Sequence, residues 1–421
     1  MQHKSIRGFN DVLPDEAVRW QAIEAAARGV FGLFGYREIR TPIAEETGLF
    51  TKTVGEDTDI VKKEMFSFKD RGERDMTLRP EGTAPIVRAY LEHDLDKTEP
   101  FQKLCYVGPM FRAERPQAGR LRQFSQIGVE AIGSSNPSVD AEVIDIMLKL
   151  LDAAGMKKYD LKINNLGCRE DKKKLSKSLK DSLSEGKVSK LLCEDCRARV
   201  ISNPLRVLDC KVEGCRAVVR ENFKKTEFLC GDCDKHFKEV LEFLDILGIK
   251  YAIDPYIVRG LDYYTRTVFE VTSDSLGAQN AVAAGGRYDN LVKDMGAATD
   301  LGACGFAIGI ERVLLAMGPS QEGARAAAGV FMATIGEAAY VEAFKLADRI
   351  RHSGIACGID HGARSLKSQM RSADKMGAAF TVIIGDDELK KGAAVVRDMT
   401  TKEQSEVAFN KLAEELAQRL K

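Results

Sequence analysis

QKLCYVGPMFRAERPQAGRLRQFSQIGVEAIG (residues 102–133) is the stretch that decides the fold. Two alternating arms flank a charged connection, which predicts a long antiparallel hairpin. Residues two apart share a face of a strand. On the first arm Gly108, Met110, Arg112 and Glu114 share one face, and Phe111 lies on the other. On the second arm Gln126, Gly128 and Glu130 oppose Ile127, Val129 and Ala131. The apolar set is a candidate core, and Arg112, Glu114, Gln126 and Glu130 project together across the opposite face. That face is either the wet side of a half-exposed sheet or the floor of a site that uses charge. The connection adds Arg115, Arg120 and Arg122, guanidiniums suited to phosphate or nucleic acid.

Outward from the hairpin, similar charges recur at element boundaries. Upstream, Trp20, Ile23, Val30, Phe31 and Phe34 approximate a helical period that Gly35 stops. YREIRTP is a short strand limited by Pro42. TLRPEG carries Glu81 at a strand-to-helix turn, and a helix starts near Thr83. Downstream, a helix over 139–154 and a strand at DLKINNLG close this half. Residues 169–250 lack strand signals and hold six of the ten cysteines, so they read as a helical insertion. Strand-like YTRTVFEVTS follows Arg259, then a glycine-rich turn at AAGGRYDN, then GACGFAIGIERVLLAM with Arg312. Glycines 302, 305 and 309 allow close approach of backbone or ligand. PSQEGARAAAG is a linker. Strands at 330–335, 355–359 and 380–384 then alternate with helices at 340–352 and 366–376, with a strand near 393–397 and a last helix at 411–420. That order predicts a small α/β domain with a largely parallel sheet. The expected fold class is α+β: a core over 1–168 and 251–318, an insertion over 169–250, a linker over 319–328 and a C-terminal α/β domain over 329–421.

At 421 residues the chain calls for two or three domains. Its 63 basic and 63 acidic side chains cancel, so any nucleic-acid contact must come from local patches. No signal peptide and no membrane-length apolar run is evident, which makes cytoplasmic residence and reduced cysteines the expectation. Neither a Walker A sequence nor GxGxxG opening a βαβ unit occurs, which disfavours the parallel-sheet nucleotide folds. The cysteines run Cys193-x2-Cys196, Cys210-x4-Cys215 and Cys230-x2-Cys233. Paired knuckles are a zinc spacing, so Cys193, Cys196, Cys230 and Cys233 are candidates for a structural four-thiolate site. Six cysteines exceed four corners, and reduced buried thiols are the alternative. Cys105, Cys168, Cys304 and Cys357 are isolated packing residues. His3, His93, His236, His352 and His361 pair with no nucleophile and suit solvated or capping positions. REDKKKLSKSLK is a basic helix, most simply a solvated face.

These segments together resemble a known family. FRAE with its basic loop and RQFSQIGVEAIG is similar to motif 2 of class II aminoacyl-tRNA synthetases, GFAIGIERVLL to motif 3, and FGYREIRTPIAEETGLF, with Pro42, to motif 1. VRGLDYYTRTVFEV and AGGRYDNL resemble two segments peculiar to the histidyl-tRNA synthetases of bacterial type, and TLRPEGTA and RGFNDVLP add to the likeness. The resemblance covers nearly the whole chain. It implies a class II antiparallel catalytic sheet, a C-terminal anticodon-binding domain, a homodimer with motif 1 at its interface, and no membrane association.

The implied reaction is activation of L-histidine by ATP with Mg2+, followed by transfer to tRNA-His. By the same resemblance Arg112 and Arg312 neutralise the ATP phosphates, with Glu114 and Phe124 near the adenine. Glu81, Thr83 and Gln126 hold the histidine ammonium. Glu130 and Tyr264 read the imidazole, with Tyr263 and Tyr288 lining the same pocket. Arg259 faces the α-phosphate and the substrate carboxylate, and Arg115, Arg120 and Arg122 meet the tRNA acceptor stem. The chemistry suits these residue types, because carboxylate attack on a phosphate needs fixed positive charge and no protein nucleophile. Regulatory relatives typically lose the RGLDYY region and the C-terminal domain, and both are present here. A synthetase for another amino acid is disfavoured by Glu130, Tyr263, Tyr264 and GGRYDN, and a pure RNA-binding module would not need the ATP arginines.

Overall fold

The computed structural model describes residues 3–117, 119–223, 228–277, 280–319 and 328–420. It divides into two compact units, Met1–Ser320 and Gln321–Lys421. Residues 320–327 of the expected linker lie outside the described residues.

The first unit is built on an eight-stranded sheet. Its strands are β1 (Arg37–Glu38), β5 (Gln102–Phe111), β6 (Gln123–Ile132), β7 (Asp160–Asn165), β8 (Ala252–Ile253), β9 (Thr265–Thr272), β10 (Ala281–Arg287) and β11 (Ala303–Gly309). A small antiparallel sheet of β2 (Ala44–Glu46), β3 (Phe66–Lys69) and β4 (Asp75–Leu78) is separate from it. The large sheet runs β1-β5-β6-β11-β10-β9-β7-β8, antiparallel except for the short outer pairs β1/β5 and β7/β8. The expected hairpin is β5 and β6, ten residues each, in register from Gln102↔Ile132 to Phe111↔Gln123.

One face of this sheet presents Ile127, Val129, Phe269, Val271, Phe306 and Ile308 to a helical layer. That layer includes the helices Pro14–Leu33, Pro137–Ala153 and Gly231–Ile246, which contribute Phe31, Val143, Ile144, Met147, Leu150 and Val240. The Pro137–Ala153 helix starts cleanly because the Asn136 side chain accepts the Ser138 N–H at 2.9 Å and Pro137 lacks the N–H that would go unmet there. The opposite face is not simply wet. Leu104, Tyr106, Met110 and Ile132 join a second core with Leu175, Leu179, Val207 and Val218 of the inserted segment. The chain leaves the sheet after β7 and returns at its parallel neighbour β8, so residues 169–250 are helical among those described and share a core with the sheet.

AAGGRYDN is not wholly a turn. Its first half is strand, since β10 continues through Gly285 and Gly286 to Arg287, and the turn begins at Tyr288. Arg287 and Asp140 are fully buried and paired, with Arg287 also bonded to Asp289 at 3.0 Å. His236, expected to be solvated or capping, is buried with its ring 3.4 Å from the same Asp140.

The proposed quartet of Cys193, Cys196, Cys230 and Cys233 does not form. Cys193 and Cys196 gather with Cys210 and Cys215, while Cys230 and Cys233 gather with Cys168 and Asp171. The physical reason is helix placement: Cys193 and Cys230 each precede a different helix, Glu194–Ser202 and Gly231–Ile246, and those helices pack at different places.

The second unit holds a five-stranded sheet of β12 (Ala328–Thr334), β13 (Cys357–Ile359), β14 (Ala378–Ile384), β15 (Ala393–Asp398) and β16 (Gln404–Ala408) in the order β13-β12-β14-β15-β16. Its core contains Val330, Met332, Leu346, Ile350, Val382 and Leu416. The sheet is mixed rather than largely parallel: β13, β12 and β14 are parallel, whereas β15 and β16 run antiparallel. The reason is the short connection Asp386–Lys391 between β14 and β15, too brief for a right-handed crossover of a dozen or more residues.

Candidate active site

The covered face of the sheet opens into a cavity of about 540 Å³ within the first unit. Acidic residues stand at one end. Glu81 sits at the start of the Thr83–Glu92 helix and accepts the N–H groups of Thr83 at 2.7 Å and Ala84 at 2.9 Å. The Tyr263 hydroxyl donates to the same carboxylate at 3.2 Å. Burial nevertheless raises the Glu81 pKa, with those hydrogen bonds opposing it.

Glu130 projects from β6 beneath this group. One oxygen accepts the Thr83 hydroxyl at 2.7 Å and the other the Tyr288 hydroxyl at 2.5 Å. Burial pushes its carboxyl up to about 8, against those two hydrogen bonds and with the nearby Glu81 adding to the rise. Space for this carboxylate comes from Gly305 on β11: a Cβ there would lie 1.9 Å from Glu130 Oε2 and 2.4 Å from the Val129 carbonyl. Tyr263 stacks near Tyr264 and Tyr288, with centroids 4.7 and 5.7 Å apart. The Tyr264 backbone is fixed by Lys172, whose ammonium donates to the carbonyls of Asp262 and Tyr264 at 2.8 and 2.9 Å. Lys172 belongs to the basic helix expected to be a solvated face, and burial lowers its pKa.

Arginines, interleaved with carboxylates such as Glu64, Glu114 and Glu270, line the rest of the cavity. Arg112 donates through Nε to the Pro80 carbonyl at 2.9 Å and lies 5.2 Å over the Phe124 ring, which holds its planar fork in place. Arg312 donates to the carbonyls of Ala281 and Gly119. Burial, with the charge of Arg120 close by, pulls Arg312 below the usual guanidinium range. Guanidiniums gathered in a partly desolvated place favour an anion beside them. Arg259 donates to Glu270 at 2.7 Å; burial lowers its pKa most, but Glu270, Tyr264 and Asp209 together outweigh it, so the pKa is raised.

Two buried polar atoms lack a protein partner on this wall, Gln126 Oε1 and Arg259 Nε. One is an acceptor and the other a donor, as the ammonium and carboxylate of a zwitterion require.

The structure therefore gathers Glu81, Thr83, Arg112, Glu114, Phe124, Gln126, Arg259, Tyr263, Tyr264 and Arg312 on one cavity. Glu130 and Tyr288 lie in contact with Thr83 and Tyr263, respectively. The loop arginines part ways. Arg120 is ion-paired with Glu114 at 2.5 Å, Arg122 donates to the Glu114 carbonyl at 3.3 Å, and Arg115 is exposed.

Four contributors escaped the sequence reading. Glu270, the partner of Arg259, had a usable signal, a charge inside the apolar run TVFEV. Tyr106 lies where a Cβ on Gly82 or Gly128 would strike its ring, a relation without local signature. Glu64 is raised by burial and by the neighbouring Glu114 charge. Arg206 donates to the Arg259 carbonyl at 3.2 Å.

A family model described as histidyl-tRNA synthetase matches residues 8–313, and one described as anticodon binding domain matches residues 329–419. The chain is similar to a histidine–tRNA ligase of Halothermothrix orenii, 49% identical over 420 residues that cover 99% of both proteins. It is 48% identical over 415 residues to one of Geobacter sulfurreducens, again over 99% of both. The crystal structure of apo S. aureus histidyl-tRNA synthetase matches with a TM-score of 0.81 at 37% identity, covering 99% of this chain and 100% of that one.

Proposed function

The chain belongs to the histidyl-tRNA synthetase family, and from that premise we propose that it activates L-histidine with ATP in this cavity and passes it to tRNA-His. The observation that carries the assignment of the amino-acid subsite is the pair of buried, unpartnered atoms, Gln126 Oε1 and Arg259 Nε. The ammonium of histidine supplies a donor to Gln126 beside Glu81, and its carboxylate supplies an acceptor to Arg259. The imidazole lies between Glu130 and Tyr264. When ionised, the Glu130 carboxylate offers about four lone-pair sites, so it can accept a ring N–H beyond the hydroxyls of Thr83 and Tyr288. Tyr264 meets the other ring nitrogen.

ATP lies along the arginines. Arg112 and Arg312 spread the charge of the phosphates, and Phe124 offers a ring face to the adenine beside Glu114. Mg2+ enters with the nucleotide, and Glu64 and Glu114 are hard oxygen donors, close enough that the Glu114 charge helps raise the Glu64 pKa. Attack of the histidine carboxylate on the α-phosphate displaces pyrophosphate and builds negative charge at the reacting phosphorus. Arg259 and Arg112 compensate that charge in place, without reorganisation. The terminal ribose of tRNA then attacks the adenylate, with Arg115 on the exposed loop as the phosphate contact and residues 329–419 holding the anticodon. A cytoplasmic setting and a homodimer through residues 34–50 complete the proposal; the two-residue edge strand β1 and the exposed Ile43 lie in that segment.

ATP–pyrophosphate exchange across a panel of amino acids tests the assignment. Exchange with histidine alone is expected, and equal exchange with another amino acid by the folded protein would refute it.

A further inference from the structure

Four cysteines form a second centre on the wall of the cavity, apart from the groups that face the substrates. Cys193 precedes the helix Glu194–Ser202 and Cys196 lies in its first turn. Cys210 follows the 3-10 turn Pro204–Val207, and Cys215 lies early in the helix Glu213–Asn222. Their sulfurs all lie within 4.8 Å of one another, with Cys193 and Cys210 at 4.0 Å. A tetrahedral ion with Zn–S bonds of ~2.3 Å spaces its sulfurs about 3.8 Å apart, so the set needs only a slight contraction. Cys196, Cys210 and Cys215 are buried, and all four are free of disulfides. The Cys193 N–H donates to the Cys215 sulfur at 3.1 Å, a bond that orients this ligand. An iron–sulfur cubane attaches each cysteine to a different iron and so holds them farther apart than a single ion does.

We propose that Cys193, Cys196, Cys210 and Cys215 bind one zinc ion that closes residues 193–215 into a clasp against the active-site cavity.

The clasp encloses functional neighbours. Arg199 and Arg206 both pair with Asp59, at 2.8 and 3.3 Å, and Arg206 also holds the Arg259 carbonyl. Cys193 and Cys210 themselves line the cavity. The ion therefore fixes the segment that braces the Arg259 backbone. The other cluster, Cys168, Asp171, Cys230 and Cys233, has a different chemistry: it offers three sulfurs and a carboxylate, and that carboxylate accepts the Cys230 N–H at 3.0 Å. That mixed donor set serves as the internal control.

The test is metal content of the full-length protein, purified under reducing conditions without a metal-affinity step and read by plasma mass spectrometry. About one zinc per chain is expected, lost in Cys193→Ser/Cys215→Ser and kept in Cys230→Ser/Cys233→Ser. A parallel measurement guards against a misfolded variant: cobalt-reconstituted wild-type protein should show the intense visible bands of a tetrahedral tetrathiolate centre. A metal-free wild type that gives only weak octahedral cobalt bands overturns the proposal, as does zinc that survives in the Cys193→Ser/Cys215→Ser variant. Iron with acid-labile sulfide in place of zinc overturns it too. These readouts do not depend on aminoacylation, so failure here and failure of the proposed activity are separable.

Discussion

Replacing Arg259 by alanine should disable activation while leaving a folded protein, and the structure sets the scale of both effects. The guanidinium is 2.7 Å from Glu270, and the two side chains are 20% and 23% exposed. Loss of one preorganised charge at a developing anion costs about 2.7–4 kcal/mol, or roughly 100- to 1000-fold in rate. The same substitution strands the Glu270 carboxylate. A fully buried orphan would cost about 3–5 kcal/mol; with a fifth of the side chain still in water, ~1–3 kcal/mol of stability is the expectation. The two losses separate in the double variant Arg259→Ala/Glu270→Gln, which removes the stranded charge along with its partner. Urea denaturation should show stability recovered to within about 1 kcal/mol of wild type. Histidine-dependent pyrophosphate exchange at saturating ATP should stay down by ~100-fold or more. Recovery of exchange in the double variant to within about 3-fold of wild type, less than 1 kcal/mol of barrier, would refute the reasoning. It would mean that the single variant failed because an unpaired carboxylate disturbed the cavity.

Two other substitutions probe the neighbourhood. Glu130 has a folded-state pKa of about 8, above the ~4.3 of an unfolded glutamate, so the folded chain binds this proton more tightly. Its contribution to stability is therefore full below about pH 4.3 and is lost as pH rises towards 8. Glu130→Gln should gain on wild type in thermal midpoint across that window, and parallel profiles for the two proteins would refute the assignment; the variant should also raise KM for histidine by about 10-fold or more. Arg287→Met leaves Asp140 buried with only His236 beside it, and should lower stability by about 3–5 kcal/mol in urea titrations. An unchanged urea midpoint in that variant would show that the buried pair holds nothing together.

Alternation made the hairpin legible, because a period of two is a local property of the chain. The apolar face of Ile127, Val129 and Ala131 is where periodicity put it. What covers the other face was not legible, since Leu175, Leu179 and Val218 come from a segment far along the chain that contributes helices, not strands. The cysteines fail in the same way. Knuckle spacing shows which thiols share a turn, but helix packing selects which turns meet, and it joined Cys193 to Cys215 rather than to Cys233. His236 looked unremarkable because its partner Asp140 lies 96 residues away. The strand through Gly285 and Gly286 reads as a turn by composition. It holds as strand because its two neighbours, β9 and β11, pair along it on either side. Glu270 is a different case, since a carboxylate in an apolar strand is the same signal that drew attention to Glu130.

The order of the sheet also governs how the protein is made. β6 carries Gln126 and Glu130, and on one side it pairs with β11, whose residues lie between 171 and 183 positions later. At translation rates of ~5–20 residues per second, that edge of β6 waits roughly 10–40 seconds for its partner to emerge from the ribosome. During this interval an unpaired strand with an apolar face is available to other nascent chains. The arrangement that floors the cavity with inward-pointing charge thus also defines a window of vulnerability in biosynthesis, and it makes the nascent chain a natural client for chaperones until β11 arrives.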